Sequence, residues 1–123
     1  RLVNRPTETG LRRALDDAMA DLAAERGVDR RDLTDAVDGY AMTRRGFESP
    51  VRAVCEGRAD VGLALRETAE RLGCDFVPLG EQSVVVRAAP DRADREAVRA
   101  VGAALSGEPF AETLASLPGY ERR

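Results

Sequence analysis

Ala59-Asp60-Val61-Gly62-Leu63-Ala64-Leu65, entered from the turn Glu56-Gly57-Arg58, is apolar on both faces of an extended chain except at Asp60. Strands of that kind belong in a sheet covered by helices on both sides, so the run 59–65 predicts a central strand. Helical patterns flank it. Upstream, Ser49-Pro50 reads as a helix start. A serine hydroxyl can cap free amides there, and proline gives up an amide that has no partner anyway. Val51, Val54 and Cys55 then face inward, and Gly57 ends the helix. Downstream, residues 67–72 predict a short helix stopped by Gly73, and Asp75-Phe76-Val77-Pro78-Leu79 and the run 83–88 predict two more strands around Gly80.

Further out the alternation continues. Residues 2–5 form a short extended run stopped by Pro6. Thr9-Gly10 then opens a helix whose apolar positions Leu11, Leu15, Ala18, Met19 and Leu22 keep 3.6-residue spacing until Gly27 ends it. Residues 29–39 read as a turn-rich loop with at most one helical turn, anchored by Val37 and Tyr40. A last helical region covers 91–117, interrupted near 107–109. Strands alternating with helices indicate an α/β fold of a sheet flanked by helices, in one domain. No internal repeat or low-complexity segment is present.

Composition narrows the functions. The 123 residues include 19 Arg but no Lys, His, Ile or Trp. Without histidine the chain alone cannot form a Ser-His-Asp or Cys-His relay or an imidazole zinc site. Cys55 and Cys74 form no CxxC pair and read as buried thiols, with a disulfide or redox site as the alternatives. We expect no catalytic residues, no metal site and no cofactor. A net charge of −3 and a pI near 5.1 give no general attraction to phosphate backbones, so no direct nucleic-acid contact is expected. Arg30-Arg31 and Arg44-Arg45 read as solvated loop charges. No apolar run approaches the roughly 20 residues of a membrane span, and a cytoplasmic location is expected. The first residue is Arg rather than Met, so the chain reads as an excised piece.

Candidate binding residues gather at helix starts. Asn4-Arg5-Pro6-Thr7-Glu8-Thr9-Gly10-Leu11-Arg12 joins a strand to a long helix, a junction that aims free amides and a positive dipole end above the sheet. Thr7 and Thr9 can add hydroxyls, Gly10 allows close backbone approach, and Arg12 in the first turn can reach a ligand or turn to solvent. The alternative is that Thr9 or Thr7 only caps its own helix. Ser49 marks a second helix N-terminus, which can face the same cleft or be an ordinary cap. Asp60, at the entry to the expected central strand, can accept loop amides or face a ligand carrying donors.

In order along the chain, Asn4-Arg5 to Thr9-Gly10, Val37-Asp38-Gly39-Tyr40, Glu56-Gly57-Arg58-Ala59-Asp60-Val61-Gly62-Leu63, Leu72-Gly73-Cys74-Asp75-Phe76-Val77-Pro78-Leu79 and Leu117-Pro118-Gly119-Tyr120 resemble a known family over about residues 3–121. It is the periplasmic-binding-protein-like domain of molybdate-responsive regulators and of molybdopterin-biosynthesis proteins of the molybdenum-insertion type. The resemblance implies a type 2, two-lobed architecture. Residues 1–123 would then be a ligand-binding domain comprising the second lobe and the chain's return to the first, lacking the N-terminal half of the first lobe. Family members carry Gly-Ser-Gly-Thr-Arg at the first helix start, where this chain has Glu8, Thr9, Gly10, Leu11 and Arg12. Thr9 keeps one hydroxyl, Gly10 and Arg12 match, Leu11 loses the second hydroxyl, and Glu8 adds a carboxylate unhelpful to a bound dianion. At the second helix start Ser49-Pro50 replaces the family's Thr-His.

The implied function is a small-ligand or oxyanion sensing module, molybdate- or tungstate-like, whose closure passes to an attached regulatory or biosynthetic domain. One alternative is an accessory substrate-binding domain of a molybdenum-insertion enzyme. The other is a degenerate lobe kept for dimerisation, so a homo-oligomer is among the expected partners. The ligand-binding set is Thr7, Thr9, Gly10, Arg12, Ser49 and Asp60.

Overall fold

The computed structural model describes residues 1–122. Its elements are β1 (Leu2–Val3), α1 (Gly10–Arg26), α2 (Arg30–Asp35), α3 (Glu48–Cys55), β2 (Val61–Gly62), α4 (Arg66–Arg71), a 3-10 turn (Pro90–Arg92), α5 (Glu96–Ser106) and α6 (Glu108–Ala115). The chain divides into two units, Arg1–Gly80 and Glu81–Arg123.

In the first unit β1 and β2 pair in parallel, Leu2 opposite Val61 and Val3 opposite Gly62. The other edge of β1 is held by the segment after α2. Leu2 N donates to Asp38 O at 2.7 Å, Asn4 N to Met42 O at 2.7 Å, and Arg44 N to Asn4 O at 2.9 Å. α3 runs back antiparallel to the strand it feeds: Gly62, at the end of β2, lies so close to the first turn of α3 that an added Cβ would meet Pro50 O at 3.1 Å. Small side chains permit this approach. The core cluster is Val3, Ala53 and Ala59, with Val54 packed against it.

Helix ends follow local chemistry. Thr9 Oγ1 accepts from Arg12 N to cap α1, and Asp29 accepts from Arg31 N at 2.7 Å to cap α2. α1, α3 and α4 all end in the same left-handed glycine turn, at Gly27, Gly57 and Gly73, which ties off carbonyls of the last turn.

Four expectations need correction. Cys55 and Cys74, expected as buried thiols, are free thiols of which Cys55 is exposed and Cys74 half-buried. The strand at 59–65 shrinks to Val61–Gly62, and Val61 is 60% exposed, because β1 is its single partner among the described residues and the chain enters α4 three residues past Leu63. The runs 75–79 and 83–88 are not strands. Val77, Val84, Val85 and Val86 are exposed, and β-formers extend into strands only where a neighbouring ladder or a covering layer receives them. Ser49 is not a cap: α3 starts one residue earlier, at Glu48, and Phe47 at its cap position makes no side-chain hydrogen bond. Pro50 still sits in the first turn, where its missing N–H costs nothing.

The second unit holds the α5 and α6 pair, and none of its described residues is buried. No helix among the described residues is long and apolar enough to cross a membrane.

Candidate functional site

Parallel pairing fixes which ends of the elements meet. α1 begins beyond the carboxyl end of β1, and α3, being antiparallel to β2, begins at the carboxyl end of β2. Two helix N-termini therefore lie at the same end of the strand pair, the end where open α/β folds take ligands. In α1 the first intrahelical bond is Arg13 N to Thr9 O, leaving the amides of Gly10 and Leu11 ahead of it. In α3 the corresponding amides belong to Glu48 and Ser49, since Pro50 has none.

Arg5 stands between these termini, and sequence reading missed it. It leaves the end of β1 just before Pro6, and its guanidinium lies over the ring of Phe47 with Cζ 5.4 Å from the centroid, at the α3 start. Arg5 is only 6% exposed. Its Nε and Nη1 are cut off from solvent with no hydrogen-bond partner, and burial pushes the guanidinium below its ordinary pKa range. Asn4 anchors its backbone: Asn4 Oδ1 accepts from Arg5 N at 2.8 Å, and Asn4 Nδ2 donates to Tyr40 O at 2.9 Å. The signal in the sequence was the Asn4-Arg5 pair at a strand end, which carries no mark of burial.

The expected site residues divide. Thr9 is an N-cap whose hydroxyl also donates to Pro6 O at 2.8 Å, so both of its roles are local. Arg12 does not project toward a ligand. Its Nε donates to Asp16 at 2.9 Å, its Nη1 to Arg5 O at 3.5 Å, and its guanidinium stacks 4.8 Å from the Tyr40 ring centroid. Tyr40 closes the cluster by donating its hydroxyl to the same Asp16 oxygen at 2.5 Å. Burial and the Asp16 contact push the Tyr40 hydroxyl up to about 12. Burial works against the Asp16 carboxylate, but hydrogen bonds from Tyr40 and Arg12 outweigh it and hold that carboxyl below its usual range.

Thr7 and Gly10 are exposed at the α1 start, and Ser49 is half-buried at the α3 start. Asp60 is elsewhere. It lies beside the level of Arg1, before both strands begin, and its backbone N–H donates to Arg1 O at 2.9 Å. The strand register thus places Asp60 at the opposite end of the pair from Thr9 and Arg5, a correction to its inclusion in one cleft with them. An open depression is lined by Thr34, Val37, Asp38, Tyr40 and Met42 and includes none of the expected residues.

The arrangement can hold negative charge, since it combines amides at two helix starts with a buried guanidinium that no carboxylate among the described residues neutralises. Residues 1–106 match a family model described as PBP superfamily domain. No curated protein and no solved structure matches the chain.

Proposed function

The chain belongs to the PBP superfamily, and from that premise we propose that it binds a small oxyanion, molybdate- or tungstate-like, at the carboxyl end of β1 and β2, as a sensing module linked to molybdenum-cofactor metabolism or its regulation. PBP-like domains bind small ligands. One observation supports an anion at this end: α1 and α3 start at the same end of the parallel pair, so that two positive dipole ends add there. In this reading the amides of Gly10 and Leu11 and those of Glu48 and Ser49 are the donors, Thr9 orients the first turn, and Thr7 reaches from the preceding turn. Arg12 acts from behind, because Asp16 and Tyr40 hold its guanidinium. The resemblance to molybdate-responsive proteins supports the choice of anion, and the type 2, two-lobed architecture comes with it.

Calorimetric titration with molybdate, tungstate and sulfate tests the reading. Thr9→Val removes the cap that holds the first turn of α1 and should weaken binding by about 0.5 to 2 kcal/mol, the worth of an N-cap. Glu8→Gln should leave binding unchanged or tighten it, by removing a like charge. No heat with any of the three anions, or equal binding by Thr9→Val and the parent, rejects it.

A further inference from the structure

We propose that Arg5 is the residue that reads ligand charge in this domain: an anion presenting more than one acceptor oxygen binds against its guanidinium, where the ring of Phe47 now screens it. The inference rests on the reading above for the place of the site, and not for the identity of the anion.

Arg5 differs from the other arginines. Arg12, Arg31, Arg52, Arg58, Arg66 and Arg71 each meet a carboxylate of the chain, and most of them are exposed, where pairing gains little. Arg5 is the buried one, and its Nε and Nη1 have no partner at all. A buried donor left unmade costs more than a typical hydrogen bond contributes, and a buried charge costs more again. A group so placed awaits a partner that the chain does not supply.

Position says what that partner is. The carboxylate built into the α3 start, Glu48, is already taken by Arg52 at 2.8 Å and Arg71 at 2.9 Å. The helix-start amides share the sign of Arg5, and Glu8, the carboxylate in the turn before α1, is exposed to solvent, where its charge is screened. The field at the buried guanidinium is therefore positive. Nε carries one N–H and Nη1 two, directed along different edges of the planar group, so one acceptor oxygen cannot satisfy both. This describes an oxyanion or the carboxylates of an organic polyacid. Phe47 fits the role of a screen: it is 60% exposed, its ring lies over the Arg5 guanidinium, and it follows Gly46. Its cation–π contact is weaker than charge-assisted hydrogen bonds, so an anion can displace the ring.

The test uses the full chain with molybdate, sulfate and citrate as probes, each read by calorimetry and by the shift in thermal midpoint. The parent should bind at least one probe. Arg5→Met should keep or raise the midpoint measured without anion, because it removes an unpaired buried charge, and should lose roughly tenfold or more in affinity. Should Arg5→Met not fold, Arg5→Lys carries the test. It keeps the charge without the planar donors and should lose a similar factor. Phe47→Ala should bind as tightly as the parent or tighter.

Citrate binding without molybdate, lost in Arg5→Met, supports the role of Arg5 while rejecting molybdate as the ligand. Molybdate binding weakened by Thr9→Val but untouched by Arg5→Met rejects Arg5 and leaves the oxyanion reading in place. No binding of any probe by the parent, or a midpoint lowered in Arg5→Met with affinity retained, overturns the proposal and makes Arg5 a packing residue.

Discussion

Residues 1–80 and residues 81–123 reach helical structure by different means. In the first unit α1, α3 and α4 each bury side chains, among them Ala23, Val51, Ala53 and Ala69, and β1 is held along both edges. In the second, α5 and α6 are amphipathic yet bury nothing, and Val84, Val85, Val86 and Val101 stand exposed. Periodicity makes helices in both, but tertiary burial supports them only in the first. Since most helix stability in proteins comes from packing an apolar face, amide exchange should be slowest in β1 and α3 and fastest in α5 and α6.

The largest change should come where the first unit is most tightly built. Gly39 has φ +87°, and a Cβ there would lie 2.1 Å from Leu2 O, inside the segment that holds β1. Gly39→Ala should cost about 3 kcal/mol or more, from strain and from displacing the Leu2 to Asp38 bond. Chemical denaturation measures it. A loss below about 1 kcal/mol would mean that this edge does not hold β1.

Next comes a matched pair of valines. Val3→Ala removes methyl groups from a site 2% exposed and should cost about 2 kcal/mol, while Val85→Thr, at a site 63% exposed, should change stability by less than about 0.5 kcal/mol. Equal effects would erase the distinction between the units.

The third test uses pH, within the first unit. The Tyr40 pKa is raised to about 12, so the folded state holds that proton more tightly than the unfolded chain does. The resulting stability is complete below about 10, the ordinary tyrosine value, and is lost as pH climbs toward 12. Asp16 is depressed, so its contribution is present above the ordinary carboxylate value and disappears as pH falls through the folded one. Tyr40→Phe should cost about 1 kcal/mol at neutral pH and flatten the alkaline limb of the stability curve. An unchanged limb in Tyr40→Phe would assign that loss to other groups.

How much of this could be read beforehand depends on the range of the interactions. The helix stops at Gly27, Gly57 and Gly73 and the period of α1 were legible, because a left-handed turn and a 3.6-residue stripe are local properties of the chain. The run 59–65 misled, since an apolar stretch records a preference for cover but not whether cover exists. The place of Asp60 at the far end from Thr9 depends on the register of Leu2 against Val61, which no local pattern encodes. Arg5 escaped notice for a similar reason. Its guanidinium is covered by the ring of Phe47, far along the chain. Thr9 was legible as a cap, though not as a hydroxyl already bonded to Pro6 O.

The smallest expected effect lies in the second unit and sharpens the comparison most. Gly102 sits inside α5, and a Cβ added there meets nothing within 4 Å. Its sole contribution to the helix is the entropy that glycine costs. Gly102→Ala should therefore stabilise α5 by about 0.5 to 1 kcal/mol. By hydrogen exchange this appears as roughly two- to fivefold slower exchange of the α5 amides, with those of α1 unchanged. Were α5 held chiefly by packing, the propensity of one residue would be masked, and an alanine in a close-packed face would more often hurt than help. No slowing, or a loss of stability in Gly102→Ala, would therefore show that the α5 face is covered, and that the two units differ less in their support than their burial implies.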